Sequence, residues 1–545
     1  MVAAQVFTTA TKQKRPHIVY ILADDLGWND VGFHGSNAIQ TPNIDALAYS
    51  GIILQNFYVN PLCTPSRAAL MTGKYPIRTG MQHFVLYGAE PRGLPLKEKL
   101  LPEYLKELGY TNHMVGKWHL GHYKKKYTPL YRGFHSHLGF WTGRQDFYDH
   151  TACENGTWGL DMRRGMDVAY DLHGEYSTDV FTRKATSLIR DHDPSKPLFL
   201  YMSHAAMHSG NTYSPIPDYH RRRYAVALYK LDQSVGLLVE ALSERKMLED
   251  TIIIFTTDNG GPAAGFNINA ASNWPLKGVK STLWEGGVRG AALVWSTAFK
   301  NPGRVSTQLM DITYWLPTLL SHWGVNKPCH KLDGHDVWDS LVSDKPFSNT
   351  TILHNIDPID GNAALRHGKW KYVNGTVFRG IGDASFGPSE RSSENDYNVS
   401  LVLESVTGRV LKKLNRSTSP EQIRKLRRQA MVVCSDRKDS KSCDPFHGPC
   451  LFNIEDDPCE TNNVAKEHPE VLKDLQSRLN EISKTAEPPG NLPLYERGNP
   501  EHWSYVWTNF GDHLNLPDDI KPKGEPLLPI TEAVFACTKN GGKLF

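Results

Sequence analysis

The chain is 545 residues long, 40% hydrophobic and 22% charged, with a formal net charge of +3. That length predicts two domains, one of them large, and the charged fraction is that of a folded globular chain, which excludes wholesale disorder. So small a net charge does not point to nucleic acid or a membrane surface as a partner, and no apolar run reaches the roughly 18 residues that span a bilayer.

The N-terminal stretch MVAAQVFTTATKQKRP has no signal-peptide core. Other features nevertheless predict the secretory pathway, with a leader expected to have been lost or replaced. Asn-x-Ser/Thr sequons stand at Asn155, Asn349, Asn374, Asn398 and Asn415, a pattern short enough that some match by chance. Of the eight cysteines, Cys434, Cys443, Cys450 and Cys459 crowd into one segment. They lack the C-x-x-C pairs of a zinc site, which predicts disulfides.

The first predicted strand, His17 to Ala23 (HIVYILA), is an apolar run that ends at Asp24 and Asp25. A helical pattern over Leu100 to Leu108 leads to a second strand, Tyr110 to Val115, followed by Lys117 and His119. A third strand, Leu198 to Ser203, precedes His204 and His208, and a long helix over Tyr224 to Leu242 leads to a fourth, Thr251 to Thr257, which ends at Asp258 and Asn259. Strands alternating with helices predict an α/β sheet covered on both faces. The basic runs at Lys124–Lys126 and Arg221–Arg223 read as solvated surface, with attraction of an anionic substrate as the weaker alternative. Past about residue 345 the texture changes. Residues 376 to 448 are polar, loop-rich and cysteine-bearing, between strand-like pieces at Lys369 to Asn374 and Cys450 to Ile454, and a helix follows over Pro469 to Ile482. The expected division is a catalytic domain over 15–350 and a smaller α+β domain over 351–545, with an antiparallel sheet and an irregular tail.

Ligands of α/β sheets bind beyond the carboxyl ends of the strands. Asp24, Asp25, Asp258 and Asn259 would share that edge and offer hard oxygen ligands suited to calcium or magnesium rather than zinc. Any one of these aspartates alone reads better as a loop or helix cap. Together they would repel strongly without a cation. Cys63 lies in PLCTPSRAALMTG, just before a helix in which Pro65 fits the first turn. Backbone N–H groups there favour an anion, and Arg67 falls one turn on, on the same face. Two readings of Cys63 stay open at this level: a buried or disulfide-bonded cysteine, or a thiolate nucleophile.

The stretch Pro61 to Gly73 resembles the first signature of the type I sulfatases, built around C-x-P-S-R, and Gly109 to His119 (GYTNHMVGKWH) resembles the second. Val19 to Gly35, Asn273 to Gly290 and Ile352 to Pro358 are similar to the arylsulfatase B branch, which includes N-acetylgalactosamine-4-sulfatases and insect sulfatases that act on glucosinolates. The likeness covers about residues 16 to 375, and thins beyond except at Pro449 to Val464. It implies an alkaline-phosphatase/sulfatase-like fold, a large mixed sheet flanked by helices. It implies that Cys63 is oxidised to formylglycine by a formylglycine-generating enzyme. The hydrated aldehyde then attacks sulfur, passes through a covalent sulfate ester and expels sulfate by an internal route.

The same resemblance implies one Ca2+ per chain between Asp24, Asp25, Asp258, Asn259 and residue 63. Arg67 and Lys117 would hold the diol and the charge of the metal site. His119 would take a proton from the diol, His208 rather than His204 would face the leaving oxygen, and Lys280 would grip sulfate and help protonate the leaving group. Lys117, His208 and Lys280 would contact substrate. Lys277 falls where the branch has an arginine, His204 reads as structural, and Trp28, Trp118, Trp274 and Trp284 read as packing. The segment Tyr87 to Pro95 lacks cysteines the branch uses, and Cys153 lacks its usual nearby partner. Seven cysteines remain beside Cys63, an odd number, so at least one is expected unpaired or intermolecular. The expected substrate is a glycan or small-molecule sulfate ester. The competing readings are a phosphate or phosphonate ester hydrolase of the same superfamily and a non-catalytic sulfated-glycan binder.

Overall fold

His17–Ala23 is buried at every position because it lies in the middle of a sheet covered on both faces. Six strands make the centre of that ten-stranded mixed sheet: β1 (His17–Ala23), β2 (Thr111–Lys117), β3 (Ser136–Phe140), β4 (Leu198–Ser203), β5 (Thr251–Thr257) and β6 (Ala292–Ser296). The computed structural model describes residues 15–211, 217–265, 269–321, 331–348, 350–391, 396–434 and 441–520. The stretch up to residue 14, the Asn349 sequon and the end of the tail lie outside the described residues.

β1 pairs in parallel with β4 on one side and β5 on the other, β4 with β2, and β2 with β3. β6 runs antiparallel to β5, which makes the sheet mixed. The register brings the strand ends level: Ala23 lies opposite Thr257, Leu22 opposite Ser203, and Ser203 opposite Gly116. Side-chain alternation then divides the core. Val19 and Ile21 join the cluster built with the helices α1 (Pro42–Ser50), α3 (Ser177–Asp191) and α4 (Pro217–Glu244). Ile18, Tyr20 and Leu22 join the cluster built with α2 (Cys63–Thr72) and the helices at Leu101–Glu107 and Trp315–Ser321. Each fully buried Ile or Leu contributes roughly 1.5–3 kcal/mol over exposure.

A separate four-stranded antiparallel sheet follows: β7 (Thr351–Asp357), β8 (Asn362–His367), β9 (Trp370–Asn374) and β10 (Cys450–Asn453). The polar stretch between β9 and β10, expected as loop, is partly helical: α5 (Val399–Glu404), α6 (Val406–Lys413) and α7 (Pro420–Ala430). Asn398, Ser405 and Ser419 accept from backbone N–H groups at the three N-termini. Val402, Val410, Leu411, Ile423 and Leu426 belong to the large sheet's core cluster, so this excursion returns to the large sheet. The helix α8 (Pro469–Ser483) covers the small sheet through Leu475 and Leu479.

Between the two sheets Lys371 Nζ lies 2.9 Å from Glu285 Oε1 and 2.9 Å from Glu460 Oε1, all three buried. Glu285 opens a one-turn helix over Glu285–Val288. Arg221, expected as surface, reaches 2.8 Å from Asp30 Oδ1. Disulfides join Cys434 to Cys459 and Cys443 to Cys450, and Cys153 is disulfide-bonded as well. Cys63 is the free cysteine among the described residues. No described helix is long and apolar enough to cross a membrane.

Candidate active site and metal centre

The level strand ends of β1, β2, β4 and β5 put Asp24, Lys117, His204 and Asp258 on one edge of the sheet. The chain turns after β1 at Asp25, whose φ of 61° is left-handed. Asp25 N donates to Asp258 Oδ1 at 3.2 Å, and Asn259 Nδ2 donates to Asp25 Oδ1 at 2.8 Å. The residues following the first and fourth predicted strands are thus tied to one another.

α2 meets this cluster end-on and begins at Cys63 itself. The Ser66 hydroxyl accepts from Asn60 N at 2.8 Å and folds the preceding loop back onto the first turn. Cys63 Sγ lies 3.6 Å from Asp24 Oδ1. Burial pushes the Cys63 thiol up to about 12, with Lys117 and Lys280 pulling the other way. No disulfide takes Cys63.

Arg67 donates from Nη2 to Asp258 Oδ2 at 2.8 Å, and from Nη1 to Ser203 Oγ at 2.7 Å and Lys117 O at 3.1 Å. Lys117 Nζ donates to Asp24 Oδ2 at 2.6 Å. Lys280 Nζ lies 2.7 Å from Asp25 Oδ1. Each carboxylate therefore has its own cation, and the three of each are buried. Burial first, and Asp258 second, push Asp24 up to about 7. At Asp258 burial works in the same upward sense, but Arg67 and Lys117 outweigh it and hold that carboxyl low.

Asp24, Asp25, Asp258 and Cys63 bring ligand atoms within 4.8 Å of one another, and so do Asp25, Cys63 and His208. Asn259 Oδ1 is buried without a hydrogen-bond partner. An orphaned acceptor among three carboxylates fits a hard, oxygen-seeking cation such as calcium or magnesium. A divalent cation would turn a site balanced charge for charge into one that attracts an anion.

His119 Nε2 lies 2.9 Å from the Leu86 carbonyl, while its buried Nδ1 has no partner. A proton on Nε2 leaves the Nδ1 lone pair bare. Burial, then Lys117 and Arg67, hold the imidazole neutral. His208 places Nδ1 2.8 Å from Ser209 O and Nε2 3.6 Å from Asp25 Oδ2. His204 instead meets Ser234 Oγ on α4 at 3.3 Å and stays out of the cluster. Lys277 also stays out, with its ammonium 3.5 Å from the Trp284 ring centroid.

Sequence reasoning missed three supports of the site. Ser203 holds Arg67, the Leu86 carbonyl orients His119, and Thr64 joins the two, donating to His119 O at 3.2 Å and accepting from Leu86 N at 3.1 Å. Thr64 carried a signal, since it stands inside the Cys63–Arg67 motif. Nothing local marks Leu86.

The sulfatase family pattern matches residues 16–325. Arylsulfatase J of Mus musculus is 38% identical over 512 residues, which cover 92% of this chain and 81% of that protein. N-acetylgalactosamine-6-sulfatase of Homo sapiens is 35% identical over 382 residues, 66% of this chain and 72% of that protein. Among solved structures, Ps i-CgsB in complex with k-i-k-neocarrahexaose superposes with a TM-score of 0.66 at 25% identity, covering 88% of this chain and 95% of its own.

Proposed function

This chain belongs to the type I sulfatase family and is a sulfatase enzyme, and from that premise we propose that it releases inorganic sulfate from a sulfated sugar or aryl-type ester, using Cys63 oxidised to formylglycine beside one Ca2+. The observation that carries the reading is a buried Cys63 at the head of α2, within 4.8 Å of three carboxylates. In this reading the Cys63 sulfur stands where the oxygens of the hydrated aldehyde would be. Asp24, Asp25, Asp258 and Asn259 hold the cation, which supplies Lewis-acid polarisation of the sulfate oxygens. Oxidised and hydrated, residue 63 offers one hydroxyl to sulfur and a second that lets sulfate leave without a new attack by water.

The chain's own residues do the rest. Arg67 and Lys117 fix Asp258 and Asp24 so that their charge stays placed. His119 takes a proton at Nδ1. His208 faces the ester's bridging oxygen from the Asp25 side, and Lys280 grips sulfate and helps protonate the departing alcohol with its own ammonium proton, before His119 takes the second hydroxyl's proton as sulfate leaves. Fixed cations around a growing negative charge are the largest catalytic contribution expected of such a site. The natural substrate is a sulfated N-acetylgalactosamine glycan or a sulfated plant glucoside such as a glucosinolate. Maturation in the secretory pathway, for a lysosomal or secreted destination, supplies the formylglycine-generating partner. Residues 15–350 carry the proposed catalytic domain, to which α5 to α7 add, and the four-stranded sheet with α8 makes the smaller unit expected within 351–545.

Mass spectrometry of the tryptic peptide containing Cys63, from protein made in a secretory host, tests this directly. Formylglycine is expected there, and Cys63→Ala should lower turnover of 4-nitrophenyl sulfate at least about a thousandfold. Full activity with an unmodified thiol would sink the mechanism.

A further inference from the structure

Two loops touch the Nε2 edge of the His119 ring. The Leu86 carbonyl lies 2.9 Å from Nε2. The backbone of Gly143, three residues past β3, lies so near the same edge that a Cβ there would stand 2.7 Å from Nε2 and 2.8 Å from Cε1. One side chain joins both loops. Glu154 Oε1 accepts from Gly143 N at 2.8 Å, and Glu154 Oε2 accepts from Gly88 N, two residues past Leu86.

Glu154 ends the first strand of a two-stranded hairpin, Thr151–Glu154 paired with Thr157–Leu160. The hairpin is itself anchored. Trp507 Nε1 donates to Ala152 O at 3.0 Å, and Thr157 Oγ1 donates to Glu154 O at 2.9 Å. Cys153 N donates to Asn211 Oδ1 at 2.9 Å, which ties the loop after His208 to the same strand. Glu154 is buried, and no lysine or arginine among the described residues forms an ion pair with it. Burial pushes its pKa up, while the Gly143 and Gly88 amides, and then Arg144, pull it down. Burying a carboxylate without a bonded cation costs free energy. Glutamine would avoid that cost, but it has one acceptor oxygen where two backbone N–H groups need two.

We propose that Glu154 is a positioning residue for His119: its carboxylate clamps the Leu86–Gly88 segment and Gly143 against the Nε2 edge of the imidazole, which keeps the proton on Nε2 and leaves Nδ1 as the acceptor. The inference rests on the sulfatase reading above and names what holds its proton acceptor in place. Glu154 bonds to backbone amides of the two loops and acts through them. Its effect falls on the step in which sulfate leaves, because that is the step whose proton His119 takes. Attack on sulfur, which uses the other hydroxyl of residue 63 and the Lys280 proton, does not depend on it.

Glu154→Gln keeps the shape of the side chain and sets an NH2 group against one of the two amides. Slowing the second step alone lowers kcat and KM together. On 4-nitrophenyl sulfate kcat should therefore fall about tenfold, while kcat/KM, which reports the first step, stays within about twofold. Rapid mixing should show a burst of about one 4-nitrophenolate per active site as the sulfated enzyme accumulates. Glu154→Asp, which keeps the charge and draws the carboxylate back by one carbon, should give the same split, and it takes the place of Glu154→Gln if that variant does not fold. A fall in kcat/KM as large as the fall in kcat would mean general damage, and an unchanged kcat would mean no role. Either result overturns the inference and leaves the sulfatase reading standing. If wild-type enzyme turns over no sulfate ester, the sulfatase reading itself fails, and histidine nitrogen NMR still decides the positioning. The His119 signal, assigned by its loss in His119→Ala, should show a single Nε2–H tautomer in wild type and an average of both tautomers in Glu154→Gln. The same His119 signal in both proteins would overturn the inference.

Discussion

One hydroxyl, that of Thr64, fixes the distance between the head of α2 and the segment that orients His119. It accepts from Leu86 N and donates to His119 O, and the Leu86 carbonyl then faces His119 Nε2. The ring cannot rotate without giving up that contact, so Nδ1 stays bare and aimed. His119→Ala should lower kcat on 4-nitrophenyl sulfate about 10²–10⁴-fold, the usual contribution of a placed proton acceptor. Thr64→Val, which keeps shape and removes the hydroxyl, should cost roughly tenfold through misplacement alone. Steady-state kinetics on both variants checks this. A Thr64→Val enzyme with wild-type kcat would mean that His119 is held by other contacts.

Among the elements, the junction between the two sheets depends on charge rather than on apolar contact alone. Lys371 on β9 lies between Glu285 and Glu460, and Glu285 also meets Arg289 Nη1 at 3.4 Å and the Tyr58 hydroxyl at 2.8 Å. Burial, with Glu285 adding to it, pushes Glu460 up to about 7 from its ordinary 4.5. A group whose folded pKa is raised stabilises the fold below its unfolded pKa and loses that contribution as pH rises through the folded value. Stability drawn from Glu460 is therefore complete below about pH 4.5 and fades by about pH 7. Thermal melting of Glu460→Gln should match wild type near pH 5 and exceed it above pH 7; the same pH slope in both proteins would refute the assignment.

The strands that place Asp24, Lys117, His204 and Asp258 were legible because each is an apolar run ending in polar residues, a pattern that burial on both faces enforces. The bounds shifted by a residue or two, as at β2, which extends through Lys117. α5 to α7 were not legible. Each is short, 6, 8 and 11 residues, and in PEQIRKLRRQA charged residues outnumber apolar ones, so no long helical period stands out. The contact of Asn355 Nδ2 with Gln82 O could not be read either, because the two residues meet only through tertiary packing.

Over the whole molecule, the excursion between β9 and β10 binds the chain's late residues to its earliest helices. Arg427 on α7 donates to Gly32 O at 3.0 Å and to Ser36 O at 3.2 Å, and its guanidinium lies 4.2 Å from the Tyr397 ring centroid. Arg427→Ala would strip the buried Ser36 carbonyl of this donor, while Gly32 O keeps Gly35 N, and should cost about 1–3 kcal/mol, visible as a lower melting temperature. Specific activity of the folded fraction should not change, and a catalytic defect without a stability defect would contradict this placement. The same long-range construction sets a timetable for Cys63. Asp258, which grips Arg67, follows it by 191 residues. A ribosome adding about 5–20 residues per second needs on the order of ten to forty seconds for that interval. Until β5 emerges, the site lacks Asp258 and the central strand that carries it. Once the sheet has closed, Cys63 is buried, and any reagent aimed at its thiol would have to reach it before that closure.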